Sequence, residues 1–406
     1  MRGLIPLAGL PLAACAADDP CAATRLLGGD RSVLTRLADG TSVHLLLPAG
    51  AGRYADGSPA VVFVRGGWNQ TSVPATTLPV RFGSGRGVAQ VYLDLPDDLR
   101  GAESRAAVAA ALWYAAGAAE DADGCTIESR LGGPLSGQRV LAGYSNGGNL
   151  AWSTLADPAL ELPPVDGVVT FESPASSQLV LLDVYARYQS GSCALTDGNA
   201  LSCDIRYDGM ALDLDAGLFL DRDGDGALDA DSEPVLGTLE DSETGAVYHS
   251  TEASAAAESL GLIAAGSAEA AAAFWSWREA PQAMQAARER HPGLATIVAA
   301  TTHDHVLAGL GDWPHVTGMM AAAEAAGLRW HRLNPDASYT VLETGDAASS
   351  IEHDAGLAWA VSDTPVLLPE SSGAGRGVLT AGVLELLDRT HEDVWEADLD
   401  GVLFRR

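Results

Sequence analysis

The stretch LAGYSNGGNL, residues 141–150, decides how the chain is read. An apolar run, 139–144 (RVLAGY), leads into Gly143-Tyr144-Ser145-Asn146-Gly147, and a helix-forming run follows over 147–156. A serine between two glycines is common. A serine between glycines at a strand-to-helix junction is not, because such a bend crowds the backbone and needs small neighbours. The bend also lifts the hydroxyl above the strand's carboxyl end, where the helix N-terminus points free N–H groups at developing negative charge. The alternative is a turn serine that caps the helix after it.

Outward from Ser145 the chain alternates. Residues 41–47, 60–65, 87–94 and 165–172 are short aliphatic or β-branched runs bounded by turn residues, and 102–118 is alanine-rich and helical. The alternation breaks over 175–289, where Asp, Gly and Ser dominate before a helical stretch at 252–290. It resumes with strands at 294–301 and 328–333, a helix at 312–326, and a closing helix at 377–389. Near-continuous apolar strands between helices predict a largely parallel sheet covered on both faces. The expected organisation is an N-terminal segment (1–15), an arm (16–39), an α/β core (40–174 and 290–406) and an inserted cap (175–289).

With Gly143-x-Ser145-x-Gly147 in that context, the chain resembles the α/β-hydrolase superfamily, in particular its serine esterase and peptidase-like branches. The resemblance spans roughly 40–174 and 290–395. It implies an α/β-hydrolase fold with a cap, and a serine hydrolase that cleaves an ester, or less readily an amide, through an acyl-enzyme. Ser145 would be the nucleophile. The resemblance places the acid at Asp304 in THDHVLAG, with Glu172 in FESP as the alternative. His353 in SSIEHDAG would be the base, with His305, His315 and His331 competing. A neutral hydroxyl needs such a base, and the base needs an acid to orient it. The oxyanion amides would be those of Asn146 and Gly67. The family often has His where this chain has Arg65 in VFVRGGWNQ, a departure that touches this loop. Gly66-Gly67 is otherwise a plain turn.

A second chemical signal is DRDGDGALDADSE, residues 221–233. Oxygen-bearing residues at positions one, three, five and nine, with Gly226 at six, match the start of a calcium loop. The expected ligands are Asp221, Asp223, Asp225, the Ala227 carbonyl and Asp229. Position twelve is Ser232, so Asp231 or Glu233 must supply the last oxygen. Structural Ca2+ is therefore the expected cofactor, with no organic one. The alternative is a solvated acidic turn.

The N-terminus, MRGLIPLAGLPLAACAADDP, has a basic start, an apolar core and Leu12-Ala13-Ala14-Cys15, which resembles a bacterial lipobox with Cys15 as the acylated residue. Its apolar run is shorter than the ~20 residues that span a bilayer. An exported periplasmic or cell-surface lipoprotein is expected, with membrane contact through the anchor alone. Four cysteines remain in an oxidising setting. Cys193 and Cys203 bracket a polar loop, and Cys21 and Cys125 then pair by elimination, one of three pairings that four cysteines allow. The formal charge is −30, and all 24 basic residues are Arg. Clustered cations for phosphate contacts are lacking, which argues against nucleic acid as a partner and leaves a small-molecule or peptide acyl substrate. The competing class is a non-catalytic, calcium-stabilised surface binding protein on the same scaffold. Trp275 and Trp277 either line the substrate space or belong to the core.

Overall fold

The computed structural model describes residues 20–25, 30–52, 54–66, 86–96, 101–171, 173–175, 193–195, 201–203, 207–214, 217–229, 232–233, 235–237, 251–299, 314–333, 348–352, 358–362 and 373–395. Its centre is a nine-stranded sheet. In chain order the first seven strands are β1 (Thr24–Arg25), β2 (Arg31–Arg36), β3 (Ser42–Leu47), β4 (Ser58–Val64), β5 (Ala89–Leu93), β6 (Leu135–Tyr144) and β7 (Gly167–Phe171). Helices α1 (Ala102–Ala115), α2 (Ile127–Leu131) and α3 (Asn146–Ala156) fall between them.

Two-stranded β8 (Cys193–Leu195) and β9 (Leu201–Cys203), and a three-stranded sheet of β10 (Met210–Asp213), β11 (Gly217–Leu220) and β12 (Val235–Gly237), follow β7. Next come α4 (Thr251–Ser259), α5 (Ser267–Trp275) and α6 (Ala280–Arg290). The main sheet resumes with β13 (Ala295–Ala299) and, after α7 (Pro314–Ala326), β14 (Trp330–Leu333). A hairpin of β15 (Ala348–Glu352) and β16 (Ala358–Ser362) precedes α8 (Gly373–Glu392).

The sheet order is β1-β2-β3-β5-β4-β6-β7-β13-β14. From β5 onward neighbours are parallel, while β2–β3 and β3–β5 are antiparallel. The runs that read as continuous apolar strands are buried at every residue in β4, β5, β7 and β13, as expected for strands covered on both faces.

The period-two alternation divides these strands between two cores. Leu45, Leu47, Val62, Val64, Val91, Leu93, Leu141, Val168 and Val298 pack with α1, α3, α6 and α7. Leu46, Val61, Phe63, Tyr92, Val140, Ala142, Val169, Phe171 and Ile297 pack on the other face with Leu379, Val383, Leu384, Leu386 and Leu387 of α8. Each buried aliphatic contributes about 1.5–3 kcal/mol, so these two layers are the main stabilising force.

Three features were not visible in the sequence pattern. The arm expected over 16–39 contains β2, whose register runs from Arg31 opposite Leu47 to Arg36 opposite Ser42. Its flanking arginines and exposed Leu34 disguise the sheet's second strand as a polar tether. Helix α6 lies inside the range expected for the cap, yet packs against α3 and α7 through Ala283, Met284 and Ala287. The stretch between β14 and α8 carries the β15–β16 hairpin, which approaches β14 and α8. A disulfide joins Cys21 to Cys125, across 104 residues. Beside it Arg130 reaches the Pro20 carbonyl (2.8 Å) and the buried Asp121 carboxylate (2.7 Å). The strand pairing sets Cys193 directly opposite Cys203. Among the described residues, no helix is long and apolar enough to cross a membrane.

Candidate active site

Strand β6 ends at Tyr144, and α3 begins at Asn146. Ser145 alone makes the turn, at φ 49° and ψ −130°. A non-glycine residue in that region costs on the order of 1–3 kcal/mol and persists only where its surroundings hold it. They do. The Ser145 N–H donates to the Phe171 carbonyl (2.8 Å), and the Ser145 carbonyl accepts from the Gly148 N–H (2.9 Å).

The glycines explain themselves as contacts. A Cβ on Gly143 would stand 2.4 Å from the Gly148 Cα, and one on Gly147 would stand 2.3 Å from the Val64 carbonyl oxygen. One on Gly148 would meet the Ser173 Oγ at 2.1 Å. Gly66, just past β4, runs against the bend: a Cβ there would lie 2.8 Å from the Ser145 Cβ. The signal for this approach was the glycine pair 66–67. The pattern therefore reflects a helix and a loop pressed onto the end of β6, with Ser145 at their meeting point.

Neighbouring strands end level with the bend. Tyr144 is in register with Phe171 of β7, and Phe171 with Ala299 of β13. The Tyr144 and Phe171 rings stack, with centroids 5.7 Å apart. The chain thus leaves β6, β7 and β13 from one edge, adjacent strands being ~4.8 Å apart. That edge also receives the amino end of α3, whose dipole favours an anion beside Ser145. Asn146 is buried there.

Of the residues expected at the site, Ser145 and Asn146 sit at this edge. Gly67, Asp304 and His353, with Glu172 and His305, lie outside the described residues, as does Cys15. Asp304 follows the end of β13 by five residues, and His353 directly follows β15.

Other described histidines belong to other elements. His44 on β3 hydrogen-bonds Ser32 (2.6 Å). His291 caps the end of α6, where burial first and then the neighbouring Arg290 charge push its imidazole below the usual range. His331 lies within β14, opposite Thr296, and His391 meets Tyr54 edge-on. His315 belongs to α7. Asp94, one residue beyond β5, is a titratable group the sequence did not single out: burial raises its carboxyl, against the pull of Arg65 and His44.

The acidic loop joins β11 to β12, two antiparallel strands, not a pair of helices. Carboxylate oxygens of Asp221, Asp223 and Asp225 all lie within 4.8 Å of one another. Asp221 accepts from the amides of Gly224 (2.6 Å) and Gly226 (2.9 Å). The buried Glu233 accepts from the amides of Arg222 (2.6 Å) and Asp229 (2.9 Å), closing the loop. At Asp223 the Asp225 amide lowers the carboxyl, but desolvation and the charges of Asp225, Glu233 and Asp221 outweigh it, and the net shift is upward. An all-oxygen, carboxylate-rich donor set of this kind suits a hard divalent cation such as Ca2+. Trp275 is buried in the core, whereas Trp277 lines a cavity of about 310 Å³ with Arg105, Ser153 and Asp157, toward the carboxyl end of α3.

Strand order, mixed polarity at one edge and the serine bend together define the α/β-hydrolase fold. No family model matches the chain, and no curated protein matches it. Among solved structures, it is similar to esterase B from Lactobacillus rhamnosis (12% identity, 91% of this chain and 92% of that one, TM-score 0.42). It is also similar to carboxyl esterase 2 from Tuber melanosporum (10% identity, 75% of each chain, TM-score 0.38). A fungal esterase from Rhizomucor miehei matches at 16% identity over 36% of this chain and 45% of that one, TM-score 0.27.

Proposed function

We propose that the chain is an exported serine hydrolase that cleaves a small ester, or an amide, through an acyl-enzyme. One observation carries this reading: Ser145 stands alone in a positive-φ bend at the end of β6, against Gly66 and at the amino end of α3. Such a bend is strained, and it sets Ser145 beside the helix dipole that favours an oxyanion. In this reading Ser145 attacks the acyl carbon. The Asn146 and Gly67 amides hold the oxyanion, His353 carries the proton from the hydroxyl to the leaving group, and Asp304 orients the imidazole. Water then attacks the acyl-enzyme, with His353 again as base.

The level exits of β6, β7 and β13 support the acid assignment, since Asp304 comes five residues after the end of β13 in the chain. The base assignment is supported by chain order, since His353 directly follows β15 and comes after both Ser145 and Asp304. The proposal extends to structural Ca2+ at Asp221, Asp223, Asp225, Ala227, Asp229 and Glu233, and to a lipid anchor on Cys15.

A fluorophosphonate probe tests the core of it. Wild type is expected to label, and Ser145→Ala is expected to lose labelling entirely. Single alanine substitutions at His353, His305, His315 and His331 then identify the base. Failure of wild type to label would favour the non-catalytic binding protein.

A further inference from the structure

We infer that Asn149 is a positioning residue that registers the whole insertion between β7 and α6 against Ser145. The inference rests on the reading of Ser145 as nucleophile. After β7 the chain departs through residues 173–175, and it returns through 278–280 into α6. These two ends are zipped together: the Ala280 N–H donates to the Ala175 carbonyl (3.1 Å). A single side-chain amide holds both. Asn149 Nδ2 donates to the Pro174 carbonyl (2.8 Å) and to the Arg278 carbonyl (2.7 Å).

Asn149 is buried, as is Arg278, so these bonds are made away from water. Residues four apart share a helix face, so Asn149 lies under Ser145, about 6 Å along the axis.

The choice of side chain is specific. Two protons on one nitrogen are needed to satisfy two carbonyls from one point. A hydroxyl has one donor and an ionised carboxylate none, while Gln is one methylene longer. Each buried carbonyl left unpaired would cost a desolvation penalty, so the amide decides whether the two ends can stay where they are.

The surroundings make the clamp stiff. Ser173 packs against Gly148 at the first turn of α3. On the returning end, the Arg278 guanidinium donates to the Phe274 carbonyl and stacks over the Phe274 and Trp277 rings, 3.3 and 3.5 Å from their centroids. A shift of Asn149 is therefore passed to both ends of the insertion at once. With the insertion read as a cap over the serine, its register sets how much acyl chain the site accepts.

The test uses the purified full chain with Asn149→Ala and Asn149→Asp, the second retaining volume while removing the donors. Hydrogen exchange followed by mass spectrometry is read over 165–175 and 276–285, and over β4 and β6. The clamp predicts about tenfold faster exchange at the two neck segments in both variants, with β4 and β6 unchanged. Unchanged necks, or an equal rise in the central strands, would overturn it. Kinetics with p-nitrophenyl acetate and a long-chain p-nitrophenyl ester test the consequence. KM for the long ester is expected to rise about five- to tenfold, with acetate within about twofold, because only the larger substrate meets the insertion. An equal loss on both esters would mean a structural role alone. If wild type labels with fluorophosphonate but the ester preference is unmoved, the specificity role falls and the hydrolase reading stands. If wild type neither labels nor turns over, the hydrolase reading falls with the specificity role, while the exchange data still decide the clamp.

Discussion

The backbone at Ser145 is costly, and its cost is carried by residues whose only qualification is the lack of a side chain. Gly143, Gly147 and Gly148 let α3 dock on the sheet, and each is blocked by a different partner: α3 itself, the end of β4, and Ser173. This gives a graded prediction. Gly148→Ala places a methyl group into Ser173, so it is expected to cost about 1–3 kcal/mol, the range for overpacking a closed site. Gly133→Ala is the control, since nothing lies within 4 Å of its would-be Cβ. It is expected to stay within about 0.5 kcal/mol of wild type. Urea denaturation of the two variants checks both values, and equal stabilities would show that the close approach at α3 is not real. The motif was legible in the sequence because a tight strand-to-helix bend demands small residues at fixed offsets, and those offsets can be counted along the chain. The role of Asn149, two places beyond that motif, was not, because its partners are 25 and 129 residues away.

At the scale of elements, the edge of the sheet opposite Ser145 is pinned by Asp166. Its carboxylate accepts from the Arg139 N–H (2.7 Å), and its own N–H donates to the Arg139 carbonyl (2.9 Å). Its carbonyl accepts from the Ala295 N–H (3.1 Å), so one residue ties the middle of β6 to the starts of β7 and β13. Burial raises the Asp166 carboxyl above its ordinary range, outweighing the Arg139 amide and the Arg139 and Arg329 charges. A raised acid binds its proton more tightly in the folded state. Its contribution is therefore full below the ordinary carboxylate range, about pH 4, and falls away as pH rises through the higher folded value. The stability of wild type relative to Asp166→Asn should fall from about pH 4 toward neutrality. Urea midpoints measured across that span would reveal it, and a difference that is flat or grows with pH would contradict the assignment. The central strands were readable because burial on both faces leaves an uninterrupted apolar run. β2 was not, since a partly exposed antiparallel strand next to the sheet's edge needs only one apolar face and tolerates arginines at both ends. α6 falls within the expected cap range, and its packing on α3 was not readable because alanine-rich composition marks a helix but says nothing of which surface covers it.

For the whole molecule the dominant quantity is charge. A chain at −30 repels itself, and the repulsion is greatest where acids crowd. The 221–233 loop is the densest such place, and it is held in shape by its own amides, with Glu233 drawn into the interior. The Asp223 carboxyl is held above its ordinary range, against the Asp225 amide, by desolvation and then by the charges of Asp225, Glu233 and Asp221. A divalent cation would offset these charges, and a ligand that binds only the folded state stabilises by RT ln(1 + [L]/Kd), about 2.7 kcal/mol at a hundredfold excess over Kd. Thermal melts are therefore expected to shift upward with CaCl2 and to return with EGTA, and MgCl2 should do less because it resists giving up its waters. Asp223→Asn and Asp225→Asn should each abolish most of the shift, whereas Asp208→Asn, outside the loop, should keep it. The pH dependence has a fixed sign: ligands must be deprotonated, so the calcium shift should shrink as pH falls through the raised range of Asp223. Equal melting temperatures in CaCl2 and EGTA at neutral pH would leave the loop as a solvated acidic turn. In that case β11 and β12 are held by their pairing with each other and with β10, and by the buried Leu218, Phe219 and Leu220.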